Sequence, residues 1–289
     1  MSARPRLGLV LGSGSARGWA HIGVIRALVA GGIEPDIICG CSAGAFVGAA
    51  YANGDLQRLE QWVLALRRRD VLALLDLGLK GGLIKGHKLV DLFAQFFVER
   101  DFTQLAKPFA CVATDLESGH EVWLREGSVA AAVRASIALP GLFAPAICEG
   151  RVLVDGALVN PVPVSLCRAM GAEIVIAVDL GSDLVGRFRR DVPRTPGLFD
   201  RLRGESVRDA VPSLLEVLSA SLNIMQARIT RSRLAGEPAD VLIAPRLSRI
   251  GLMDYQRGDE AIAEGAAAVD RQWPAIRHAL WSEAGAGAQ

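Results

Sequence analysis

The sequence has few groups from which a covalent or metal staple could be built. Its 289 residues include five cysteines, Cys39, Cys41, Cys111, Cys148 and Cys167. The number is odd and no C-x-x-C pair occurs, which argues against a disulfide framework or a zinc site and fits a reducing compartment. Net charge is nearly absent too: 32 basic residues against 31 acidic ones leave +1. That balance supplies no whole-molecule field to draw in nucleic acid, so no nucleic-acid partner is expected. No secretion signal is read either. Arginines precede "LGLVLG", but that apolar run is too short, and Arg17 interrupts the uncharged stretch beyond it. These absences lead to the expectation of a cytoplasmic protein, with a peripheral contact at the inner membrane surface left open.

Only residues 37–54 are uncharged over a length that could span a bilayer. Four glycines, Ser42 and Asn53 make that stretch a poor lipid-facing helix, and a strand, a turn and a buried helix fit it better. With 51% apolar residues the chain can bury a sizeable core, and disorder is excluded for most of it.

Residues 7–11 form a short apolar run that ends in the glycine-rich loop "GSGSARG", residues 12–18. "WAHIGVIRALVAGG" then reads as a helix stopped at Gly31 and Gly32. Residues 36–40 and 43–51 repeat the strand and helix, and Asn53 and Gly54 end the second unit. Two such units predict an α/β sheet with parallel strands and right-handed crossovers. Helical patterns continue over 55–77, 87–98, 128–135 and 164–170, with a loop rich in glycine and lysine at 78–86. Strand patterns occupy 108–114, 121–124 and 173–178, and 146–154 reads as a strand pair hinged at Glu149 and Gly150. Residues 181–204 carry six arginines against three aspartates. They read as a long connection that is either a lid or binding loop or a plain surface excursion. Helical pattern resumes over 205–234, a strand comes next at 240–244, and a closing helix at 259–281 precedes an alanine- and glycine-rich tail, 282–289. No internal repeat is present, so one domain over 1–289 is expected, with its core at about 6–180.

Three elements carry chemistry. Gly40-Cys-Ser42-Ala-Gly44 is a G-x-S-x-G pentapeptide preceded by a strand and followed by a helix, the context of a nucleophile on a sharp turn. Its glycines avoid clashes that a Cβ would cause, and the helix dipole favours negative charge at the serine. Tight packing is the competing reading, and the nucleophile is favoured. A serine needs a base. Among His21, His87, His120 and His278 none lies in a recognisable turn at a strand end, and His21 reads as structural. Asp155 ends the apolar strand "RVLV" and precedes Gly156-Ala157, where functional groups of α/β sheets gather. An ordinary turn aspartate is the equal alternative. The third element is the loop Gly12-Ser13-Gly14-Ser15-Ala-Arg17-Gly18, a run of backbone N–H groups at a helix start that could stabilise an oxyanion or a phosphate. A dinucleotide site fits poorly: the third glycine falls one position late, at Gly18, and the second strand ends without an acidic residue.

In this order and spacing, "GSGSARGWAHIGVI", "GCSAGA", "RASIALPGLFAP" and "VDGALVNPVPV" resemble the patatin-like phospholipase family, in its bacterial branch related to the neuropathy target esterase catalytic domain. The resemblance is close over residues 6–180. It implies a three-layer α/β/α fold with a mainly parallel central sheet, and hydrolysis of lipid carboxylic esters by a serine and aspartate dyad without histidine, metal or other cofactor. It places the nucleophile at Ser42, the elbow glycines at Gly40 and Gly44, and the base at Asp155. The oxyanion loop falls on Gly12, Ser13, Gly14, Ser15 and Arg17, with Gly14 and Ser15 the closest donors. Many members have successive glycines where this chain has Ser13 and Ser15. The segment 135–145 is read as packing around the site. The implied partner is a lipid ester, phospholipid or lysophospholipid, and the sequence leaves any protein partner unknown. Two rivals stand beside this reading: a histidine-dependent α/β-hydrolase using Ser42, Asp155 and His278, and a non-catalytic interaction module on the same fold.

Overall fold

The computed structural model describes residues 4–74, 100–184 and 214–281. The expectations for 78–86, 87–98, 185–204, 205–213 and the tail 282–289 lie outside the described residues.

In chain order the elements are β1 (Leu7–Leu11), α1 (Ala20–Ala30), β2 (Ile37–Cys41), α2 (Ala43–Asn53), α3 (Leu56–Ala65), α4 (Arg68–Leu74), β3 (Phe109–Asp115), β4 (Glu121–Leu124), α5 (Val129–Ser136), β5 (Ala146–Cys148), β6 (Arg151–Asp155), α6 (Val164–Ala169), β7 (Ile174–Val178), α7 (Leu214–Gly236), β8 (Val241–Ile243) and α8 (Gly258–Trp281). The strands form one sheet in the order β5-β6-β3-β2-β1-β7-β8, with β4 on β3. The pairs β1–β2, β1–β7, β2–β3 and β7–β8 are parallel, whereas β3–β4, β3–β6 and β5–β6 are antiparallel. The unbroken apolar texture of β1, β2 and β7 matches burial on both faces, as a parallel sheet between helical layers requires.

Strand alternation divides the core into two layers. Leu7, Leu9, Leu11, Ile38, Ile176 and Val178 pack with residues of α1, α2 and α8 on one face. Val10, Ile37, Cys39, Val112 and Val175 pack with Val164, Leu166 and Cys167 of α6 on the other. The fold is therefore the expected three-layer α/β/α arrangement. Residues 37–54 are a strand, a turn and a buried helix, and among the described residues no helix is long and apolar enough to cross a membrane.

Two local differences from the sequence reading have physical causes. The helix expected from Trp19 is preceded by a 3-10 turn over Ser15–Trp19, which carries the glycine-rich loop into α1. The helical pattern at 55–77 is broken at Leu66, whose backbone is extended. The Asp70 carboxylate accepts the Arg67 N–H at 2.9 Å and so starts a new helix.

Helix α1 is held by α8 at a glycine crossing. A Cβ at Gly23 would collide with the Ile262 carbonyl, and one at Gly265 with the Ala20 carbonyl. The backbones thus approach more closely than any side chain permits, and the turn entering α1 is fixed with them. Gly265→Ala is expected to lower the unfolding free energy by about 1–3 kcal/mol, read as a lower Tm in a thermal melt. An unchanged Tm would show that the helices separate freely.

Candidate active site

Ser42 joins β2 to α2 with φ 55° and ψ −121°. A non-glycine residue at such a φ is strained, at roughly 1–3 kcal/mol, and persists only where its surroundings impose it. Three features impose it here. A Cβ at Gly40 would strike Ala45 and the Gly44 carbonyl, and one at Gly44 would strike the Leu11 carbonyl, so the turn closes only with glycine at both positions. The Ser42 N–H donates to Ser136 Oγ at 2.9 Å. Ser136 Oγ in turn donates to Val112 O at 2.7 Å, tying the elbow to β3.

Sheet register brings the carboxylate to the serine. Cys41 of β2 pairs with Val112 of β3, and Asp155 of β6 pairs with the next β3 residue, Ala113. The end of β2 and the end of β6 therefore meet on consecutive residues of β3. Ser42 Oγ donates to Asp155 Oδ2 at 2.6 Å. The other oxygen, Oδ1, accepts the Ala157 N–H at 2.8 Å. The Asp155 backbone is pinned as well: its N–H donates to Ala138 O at 3.0 Å, and Thr114 Oγ1 donates to its carbonyl at 2.8 Å. Asp155 is 1% exposed. Burial disfavours its charge and outweighs the two hydrogen bonds that favour it, so its pKa rises from 3.8 to about 7.

The glycine-rich loop sorts its amides into two groups. Gly12 N–H donates to Val178 O at 3.0 Å and Ser13 N–H to Pro161 O at 2.9 Å, so these two candidate donors are committed to holding the loop. Among the described residues, the N–H groups of Gly14 and Ser15 have no protein partner, and both residues line the cleft beside Ser42. Ser15 has φ 51°, a left-handed conformation costing a non-glycine residue roughly 1–2 kcal/mol.

Arg17 is buried and grips the loop: its Nε donates to Gly14 O at 3.2 Å and its Nη2 to Asn223 Oδ1 at 3.1 Å. Burial lowers its pKa to about 10 against the opposing pull of Asp183 and Asp179, which leaves it cationic at neutral pH. His21 has the structural role expected of it. It is fully buried, its pKa falls to about 4 through desolvation, and its neutral ring lies with Nε2 2.8 Å from Gly12 O.

The cleft opens to solvent, and its lining is mostly apolar, as ligand sites generally are. Phe46, Ile137, Leu139, Phe143 and Leu252 lie on its walls with Ser42 and Asp155. Among the described residues none of its lining side chains is a histidine, and His87 lies outside the described residues. The segment 135–145 does surround the site, through Ser136, Ala138, Leu139 and Phe143. Sequence reading missed Ser136, Tyr255 and Gln226. Ser136 was legible only as part of a motif, and the other two come from late elements that carry no motif.

A serine on a strained elbow, bonded to a buried carboxylate at the end of a three-layer α/β/α sheet, defines the class of this protein. The chain belongs to the patatin-like phospholipase family, whose model matches residues 9–168. It is 32% identical to an uncharacterised NTE family protein of Mycobacterium bovis, over 92% of this chain and 91% of that protein. It is 29% identical to lysophospholipase NTE1 of Pyricularia oryzae, over 90% of this chain but only 18% of that much longer protein. Among solved structures, VipD from Legionella pneumophila matches with a TM-score of 0.52 at 14% identity, over 96% of this chain and 77% of that one. That likeness is one of fold.

The raised pKa of Asp155 is linked to stability. Between its unfolded value near 3.8 and its folded value of about 7, the native state holds a proton that the unfolded state releases. Stability therefore falls as pH rises through this window, by on the order of 4 kcal/mol in total. Asp155→Asn removes the titration while leaving Oδ1 to accept from Ala157. It is expected to melt above wild type at pH 8, with the gap closing toward pH 4; a gap independent of pH would contradict the burial argument.

Proposed function

We propose that the protein is a serine acyl hydrolase that cleaves lipid carboxylic esters through a Ser42–Asp155 dyad. The observation that carries this reading is the 2.6 Å hydrogen bond from Ser42 Oγ to a buried carboxylate, in an apolar cleft lined among the described residues by no histidine. Family membership supports a lipid ester as substrate, and the relative named a lysophospholipase supports phospholipid or lysophospholipid in particular.

In this mechanism the ester's acyl chain lies against Phe46, Leu139, Phe143 and Leu252, with its carbonyl over Ser42. Asp155 takes the Ser42 proton as the oxygen attacks, and the carbonyl electrons move onto oxygen. The Gly14 and Ser15 amides, which need no reorganisation, stabilise that charge. Collapse of the tetrahedral intermediate expels the alcohol, which takes the proton from Asp155. Water then attacks the acyl-enzyme with Asp155 again accepting a proton, and collapse of the second intermediate returns that proton to Ser42 Oγ as the fatty acid leaves. An ordinary carboxylate is too weak a base for this work, and burial raises Asp155 toward neutrality. The reaction requires no metal or organic cofactor. We place the protein in the cytoplasm, meeting its substrate by peripheral contact with the membrane.

The test is a hydrolysis panel of phospholipids and lysophospholipids with wild type, Ser42→Ala, Asp155→Asn and His278→Ala, together with fluorophosphonate labelling. Ser42→Ala and Asp155→Asn are expected to lose at least about 1,000-fold in kcat/KM, and Ser42→Ala to lose labelling. His278→Ala should match wild type. Because the base must be ionised, kcat/KM should fall tenfold per pH unit below about 7. Turnover that survives Asp155→Asn would reject the dyad, and a wild type that neither labels nor hydrolyses would favour an interaction module.

A further inference from the structure

Ser15 occupies a left-handed position that glycine would adopt without strain, and its side chain is fully engaged. Its Oγ lies 2.8 Å from Leu252 O and 2.7 Å from Tyr255 Oη. A serine hydroxyl has one hydrogen and a carbonyl has none. Both contacts are satisfied together only if Ser15 donates to Leu252 O while Tyr255 donates to Ser15 Oγ. Burial pushes the Tyr255 phenol up, which keeps that donor protonated at neutral pH.

Two more bonds join the same segments: Ala16 N–H to Leu252 O at 3.3 Å, and Trp19 Nε1–H to Tyr255 O at 3.1 Å. The 251–257 segment is braced in turn by Asp254, which accepts the Gly251 N–H at 2.9 Å on its side chain and the Arg257 N–H at 2.9 Å on its carbonyl. The direction of the Ser15 N–H, one of the two unpartnered amides of the cleft, is thus set from a segment more than two hundred residues away in sequence.

We propose that Tyr255 is a positioning residue of the ester-cleaving centre, whose hydroxyl fixes Ser15 Oγ and thereby aims the Ser15 and Gly14 amides at the developing oxyanion. The inference rests on the hydrolase reading above. It explains why a serine is accommodated at a strained position: the side chain that costs backbone freedom supplies the anchor. It also couples acyl fit to chemistry. Leu252, on the anchoring segment, packs beside Leu139 and Phe143 on the cleft wall, so an acyl chain seated there presses on the segment that orients the donors. Donors aimed in advance act on charge that exists only in the transition state, so their misalignment lowers kcat and leaves KM nearly unchanged.

The experiment compares the full chain as wild type, Tyr255→Phe, Ser15→Gly and the double variant, with Ser42→Ala as the inactive control. Ser15→Gly removes both side-chain bonds, relieves the left-handed strain and keeps the amide, so it tests the same idea if Tyr255→Phe folds poorly. The readouts are kcat and KM on a p-nitrophenyl alkanoate, and inhibition by two probes of equal chain length. One is an alkyl trifluoromethyl ketone, whose adduct with serine bears an oxyanion, and the other is a fatty alcohol, which bears none. Tyr255→Phe is expected to lower kcat about fivefold to tenfold with KM within about twofold, and to weaken the ketone by a similar factor without affecting the alcohol. Adding Tyr255→Phe to Ser15→Gly should cost less than about twofold more, because the hydroxyl acts through Ser15. An unchanged kcat, or parallel changes in KM and alcohol binding, overturns the inference while leaving the hydrolase reading intact. A wild type no more active than Ser42→Ala overturns the hydrolase reading, and this inference with it.

Discussion

One carboxylate sealed from water governs the arrangement around it. Asp155 has two hydrogen-bond donors and almost no solvent, so its charge is costly wherever it forms. The fold supplies what is needed to keep it there: register partners on β3, a backbone clamp from Ala138 and Thr114, and the Ser42 hydroxyl donating to Oδ2. The same desolvation that destabilises the fold as pH rises toward about 7 makes the carboxylate a stronger base, the property the proposed dyad would use to take a serine proton. Stability and reactivity thus pull in opposite directions on a single group, a pattern common where residues are tuned for chemistry.

Both turns that face that carboxylate carry backbone strain. Ser42 and Ser15 both hold positive φ, and each is tied by hydrogen bonds to elements far along the chain. Ser136 secures the first and the 252–255 segment the second. The close α1–α8 crossing fixes the helix into which the Ser15 turn runs. A short loop with several glycines is in this way held nearly rigid, which is what preorganised donors require.

How much of this the sequence disclosed depends on the range over which each signal acts. β1, β2 and the turns after them are local: an apolar run, then glycines, then helical periodicity, and the observed elements fall within a residue or two of the expected ones. Ser42 and Asp155 were legible because each ends a strand beside small residues. Their contact was legible only through the family resemblance, since it depends on β6 running antiparallel to β3 in one register, and no local pattern encodes a register between residues forty positions apart. Tyr255 was hidden for a related reason, because a tyrosine in a connecting segment looks ordinary until the fold places it on Ser15. The break at Leu66 escaped because the leucines continue helical spacing through it, while the Asp70 carboxylate that restarts the helix acts on a single amide.

The most direct test of the buried carboxylate is difference infrared spectroscopy of wild type against Asp155→Asn, titrated between about pH 5 and about pH 9. The account predicts a protonated-carboxyl band, absent from the variant, that gives way to a carboxylate band with a midpoint of about 7. A midpoint in the ordinary aspartate range, with the carboxylate fully ionised at pH 5, would contradict it.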